Sequence, residues 1–123
     1  MALIIDKNGN MSLVQGDSGD LVITGVPTDK NYRVFFAIQD SERKPIGEEI
    51  FMDSNRLDTV VINITGDLTD LLDVKKDDDT AEYLYGVKIC DSETGYEDTM
   101  ILGDGNLGDV NTITVYPRKV KGI

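Results

Sequence analysis

Short apolar stretches with a two-residue rhythm dominate this chain. The clearest is Leu57–Thr65, where Val60, Ile62 and Ile64 fall on one face and Val61, Asn63 and Thr65 on the other. Successive side chains of an extended strand point to opposite faces, so this alternation predicts a strand with one wholly apolar side. The same reading predicts strands over Asn10–Gln15, Leu21–Gly25, Tyr32–Asp40, Ile46–Met52, Glu82–Cys90, Asp98–Leu102 and Asn111–Tyr116. Clusters of Gly, Asp, Ser and Pro at Asp17–Asp20, Pro27–Asn31 and Ser41–Pro45 predict the turns between them. The run from Asp79 to Thr99 reads as a strand, a polar loop containing Gly95 and a returning strand, which is a hairpin. Only Asp67–Val74 has helical spacing: Leu68, Leu71 and Leu72 fall on one side and Asp67 is placed to cap it. About eight short strands with frequent turns define an antiparallel β-sandwich or a small barrel.

One local pattern sharpens that choice. Asp79-Thr80-Ala81-Glu82-Tyr83 resembles the Asp-x-Ala-x-Tyr corner that begins the sixth strand of many immunoglobulin-like domains. The resemblance implies that the Tyr83 hydroxyl bonds back to nearby backbone and that Tyr83 is structural. Tyr85 stands where the second cysteine of an antibody domain would follow, and the chain has no tryptophan, so the antibody subtype is excluded. The expected fold class is therefore all-β. It is an immunoglobulin-like antiparallel β-sandwich of about 7–8 strands, with one short helical turn near residues 67–74, in a single domain over residues 1–123. Within Tyr32–Ile38 both alternating sets carry bulky apolar side chains, Tyr32/Val34/Phe36/Ile38 and Phe35/Ala37. A sandwich strand needs only one apolar face for its own core. Phe35 is thus covered by a loop or by the Asp67–Val74 turn, or it lies in a protein–protein contact.

Charge and composition narrow the chemistry. A net charge of −11 with pI near 4.2 argues against binding nucleic acid through phosphates and against adsorption to anionic membranes. Basic residues gather at Arg118, Lys119 and Lys121 and in the pairs Arg43-Lys44 and Lys75-Lys76, as solvated surface or as patches for acidic partners. Cys90 is the single cysteine, so no intramolecular disulfide forms. The absence of histidine removes the commonest general base and metal ligand. The opening MALIIDKNGN has too short an apolar stretch for a signal peptide or a membrane span, so a soluble protein outside the general secretory route is expected.

Several stretches imitate functional motifs. Gly103 to Gly108 spells G-x-G-x-x-G, yet a strand pattern follows where dinucleotide binding needs a helix, and Asp104 and Asp109 would repel a pyrophosphate. A β-turn is the better reading. Asp6, Asn8 and Asn10 alternate like the oxygens of a calcium loop, but the glycine falls at Gly9 and no glutamate closes the loop. Asp104, Asn106 and Asp109, or Asp77 to Asp79, are further acidic clusters that turns explain equally well. Cys90 has no histidine to activate it, and spacing alone brings no two of the 23 acids into a cleft. The expectation is a protein that is not an enzyme and holds no cofactor and no metal.

The order of motifs through nearly the whole chain points to a family. MSLVQGDSGDL at Met11–Leu21, the Val34–Ile38 strand, DLTDLL, GVKI with its DSETGYEDT hairpin, and the closing Ile113-Thr114-Val115-Tyr116-Pro117 resemble the N-terminal domain of phage baseplate upper proteins. The resemblance implies an immunoglobulin-like module of a siphophage or prophage tail. Such a module is assembled in the bacterial cytoplasm, works by association and carries no catalytic residue. Its implied partners are other tail and baseplate proteins and copies of itself. Family members continue into a helical stem, whereas only residues 118–123 follow Pro117, which implies a stand-alone module or a small tail protein. The residues expected to carry interaction are Phe35, Tyr96, Arg118 and Lys119. The alternative is a carbohydrate- or ligand-binding β-sandwich for host-surface attachment, with Tyr96 and nearby acids as contacts.

Overall fold

The computed structural model describes residues 3–91, 93–100 and 111–119. Along them run β1 (Leu3–Ile5), β2 (Met11–Val14), β3 (Gly19–Ile23), β4 (Tyr32–Gln39), β5 (Pro45–Asp53) and β6 (Val60–Ile64). A helical turn α1 (Gly66–Thr69) leads to β7 (Ala81–Asp91), β8 (Glu97–Met100) and β9 (Thr112–Tyr116). The large sheet has the order β1-β2-β9-β7-β4-β5, with β8 beside β7, and β3 and β6 form a second, two-stranded sheet. The fold is an all-β, immunoglobulin-like sandwich and not a barrel. Every expected strand is present, with β1 in addition. β1 is only Leu-Ile-Ile, too short to show a period, and its place comes from pairing Leu3 with Leu13.

All pairs are antiparallel except β2 with β9, which run parallel with Met11 opposite Ile113 and Leu13 opposite Val115. No hairpin joins these two, so no tight turn dictates their direction. The long strand β7 lies against β4 along its whole length. Its other edge is shared, residues 81–84 pairing with β9 and 87–90 with β8.

The core follows from alternation. Val34, Phe36 and Ile38 of β4 face inward beside Tyr85, Val87 and Ile89 of β7. Leu21, Ile23, Val60, Ile62 and Ile64 of the small sheet meet them from the opposite side. Phe36 and Tyr85 stack in a tilted pair with centroids 5.6 Å apart. Each such fully buried side chain contributes roughly 1.5–3 kcal/mol through removal of apolar surface from water.

The helical turn is shorter than the 67–74 expected, and its cap is Thr65, not Asp67: the Thr65 hydroxyl accepts the Leu68 N–H at 3.3 Å. Asp67 sits instead in the first turn, where a negative charge suits the helix dipole. Because the helix ends at Thr69, helical spacing no longer governs the next leucines: Leu72 is fully buried while Leu71 is 53% exposed. Gly66 is required, since a Cβ there would stand 2.6 Å from the backbone oxygen of Gly16. The Thr69 hydroxyl donates to the Asp17 carbonyl at 2.7 Å and completes this junction. The turn therefore packs against residues 15–17 and does not cover Phe35.

The tyrosine corner is formed as its motif implies, with the Tyr83 hydroxyl donating to the Asp73 carbonyl at 2.6 Å. The buried Tyr85 hydroxyl donates to the Gly9 carbonyl, and burial pushes its pKa up. Asp73 is exposed, so water can replace the first bond, whereas the second is made in the interior. Urea unfolding should accordingly show Tyr83→Phe costing about 0.5–1 kcal/mol and Tyr85→Phe about 1–3 kcal/mol. Equal costs would contradict this difference in solvent access.

Candidate functional site

The side of the large sheet that faces away from the core is built by the other half of each strand's residues. β4 contributes Arg33, Phe35, Ala37 and Gln39, and β7 contributes Leu84, Gly86, Lys88 and Cys90. In register, Ala37 is opposite Gly86, Phe35 lies between Lys88 and Phe51, and Lys88 is opposite Thr99. The β4–β5 ladder slips between Phe36 and Ile38, and a bulge of this kind bends a strand out of the sheet plane. The result is an open cleft of about 600 Å³. Ala37 and Gly86 form its floor, Phe35 and Leu84 its apolar walls, and Arg43, Glu49, Lys88 and Glu97 its rim. A Cβ on Gly86 would meet nothing within 4 Å, so the floor is bare.

Beside the cleft, Phe35 and Phe51 make a tilted pair with centroids 6.0 Å apart. The Arg33 guanidinium lies 4.4 Å from the Phe51 centroid and its Nε donates to Asp53 at 3.0 Å, which raises the Arg33 pKa. Lys88 pairs with Glu97 at 3.5 Å across the β7–β8 ladder. Arg33, Arg43 and Lys88 thus balance Glu49, Asp53 and Glu97, and the face is neutral on a molecule of net charge −11. Phe35 therefore lies on an outward, apolar and charge-balanced surface.

The β7–β8 hairpin is stiffened by Asp91, which is only 3% exposed. Its carboxylate accepts from Lys30 Nζ at 3.0 Å, Thr94 Oγ1 at 2.9 Å and the Glu93 N–H at 3.0 Å. Its backbone N–H donates to the Tyr96 carbonyl, and its carbonyl accepts from Gly95 N–H, each at 2.8 Å. The hydrogen bond from Lys30 is the main reason the Asp91 pKa falls to about 2. Tyr96 stands at the tip, 65% exposed. Sequence reasoning missed Asp91, although an aspartate at a strand end before Glu-Thr-Gly is the signal of a side chain that caps a turn.

The remaining candidates separate. Arg118 forms an ion pair with Asp70 beside α1 and lies over Gly16, so it is engaged within the fold. Lys119 is exposed. Cys90 is half-buried on the outward face. Asp6 accepts the backbone N–H groups of Asn8 and Asn10 at 2.9 and 3.0 Å, and Asn10 holds Thr112, so these oxygens serve a turn and its neighbour. Among the described residues no group of three or more acid or thiol side chains could hold a metal, and no helix is long and apolar enough to cross a membrane. The G-x-G-x-x-G stretch at 103–108, the cluster Asp104/Asn106/Asp109 and Lys121 lie outside the described residues. The chain matches no protein-family model and no curated protein sequence.

Asp91 ties stability to pH. Its folded pKa lies below the ordinary carboxylate value of 3.8, so its stabilising effect is complete above that value and disappears as pH falls toward about 2. Urea midpoints measured from pH 6 down to pH 2 should drop for the wild type in that interval. Asp91→Asn should start lower and lose less there, and parallel curves would rule out the assignment.

Proposed function

We propose that this protein is an assembly module of a phage or prophage tail, acting through contacts with other tail proteins and with copies of itself. The observation that carries the reading is the outward face of β4, where Phe35, Phe51 and Leu84 are presented beside an open cleft. A strand whose inner residues already fill the core needs no apolar residues on its solvent side, and such surfaces mark interaction sites. Neutrality adds support: an acidic body disfavours chance association, and the one balanced face is where approach is least opposed. The motif order from MSLVQGDSGDL to ITVYP supplies the tail assignment by resemblance. Arg118 supports assembly less than its sequence position implied, because it is engaged by Asp70.

The carbohydrate-binding alternative is the weaker reading. One ring face of Phe51 is taken by Arg33, and Tyr96 does not line the cleft. Light scattering on the purified protein across a concentration series should reveal a defined oligomer, and Phe35→Glu should reduce it to monomer with an unchanged unfolding midpoint. A wild type that stays monomeric throughout would remove self-assembly from the reading. Co-sedimentation with the products of neighbouring genes, abolished by the same substitution, is the result expected of a tail component.

A further inference from the structure

We infer that the cleft on the outward face receives the β7–β8 hairpin tip of a second copy of this chain, with Tyr96 as the anchor. This rests on the assembly reading and gives it a geometry. The first argument is shape. The cleft of about 600 Å³ is concave, and a flat partner would leave it unfilled, whereas interface cores pack as densely as protein interiors. The occupant must therefore be convex.

The second argument is chemistry. Gly86 and Ala37 leave the floor without side-chain bulk, and Phe35 and Leu84 make the walls apolar, so the cleft accepts a large apolar body. Its rim carries both charge signs and suits a polar group at the edge of that body. Tyrosine meets both demands, with an apolar ring and a hydroxyl that can donate or accept. Among the described residues Tyr96 is the most exposed aromatic, at 65%, ahead of Phe51 at 50% and Tyr116 at 47%.

The third argument is rigidity. Lys30, Thr94 and the Glu93 and Gly95 amides bind Asp91 at the base of the tip, so Tyr96 is carried on a turn already fixed in shape. A preorganised aromatic loses little conformational freedom on docking, which favours it as an anchor. Glu93 adds negative charge at the tip, complementary to Arg43 and Lys88 of the rim. Knob and cleft are different patches, so the contact is heterologous. Each copy keeps one free knob or one free cleft until a ring closes.

Complementation between two variants tests this. Tyr96→Ala removes the knob and keeps the cleft, and Gly86→Phe fills the cleft and keeps the knob. Each alone should weaken association on the order of 30-fold or more, the scale of a lost anchor. Mixed together, they should form a 1:1 dimer and nothing larger, because only one productive junction exists between them. Circular dichroism and unfolding midpoints establish that both variants fold, and Gly86→Leu replaces Gly86→Phe if the latter does not. If the wild type oligomerises while Tyr96→Ala leaves its mass unchanged, this contact is wrong and the assembly reading stands. Absence of the mixed dimer from folded variants also overturns the contact, and a wild type that is monomeric at all concentrations overturns both.

Discussion

The ladder between β4 and β7 commits both of its faces, and the rest of the molecule is arranged around that commitment. Val34, Phe36, Ile38, Val87 and Ile89 point inward and require a covering sheet, which β3 and β6 provide. Phe35, Ala37, Leu84 and Gly86 point outward with nothing of this chain folded over them among the described residues. Strand geometry makes the two sets inseparable: slipping the register by one residue would exchange them, exposing the core set and burying Lys88. The inward set thus fixes the fold, and by doing so it fixes what the outward set displays.

Much of this architecture was legible because alternation is a local signal. Val60, Ile62 and Ile64 announce β6 in five residues, and the Asp79-to-Tyr83 motif announces the corner that the Tyr83 hydroxyl completes. Signals failed where structure depends on distant partners. β1 is visible only once Leu3 meets Leu13, and the parallel course of β9 only once Val115 meets Leu13. The helix cap moved from Asp67 to Thr65 because the junction with Gly16 and Asp17 sets where the helix can begin.

For the candidate site, the composition of the outward face was legible and its shape was not. That Phe35 lies opposite the core set follows from the sequence of β4 alone. That Ala37 and Gly86 are register partners, making a floor without bulk, requires the strand pairing. The concavity further requires the bulge between Phe36 and Ile38, which no residue there foretells. Likewise Asp91 gains its meaning from Lys30, a residue far off in sequence that the pairing of β4 with β7 brings near.

The parallel contact between β2 and β9 joins the opening and closing strands of the fold, and this has a consequence for biogenesis. A ribosome must deliver β9 before β2 and the first half of β7 acquire their shared neighbour. Until then both present unpaired edges, and the loop to be closed spans almost the entire domain, a topology that folds slowly. Folding is therefore coupled to completion of the polypeptide. A prematurely ended chain lacks the strand that holds the sheet together, and it remains a substrate for chaperones and proteases before it can compete for a place in a larger assembly.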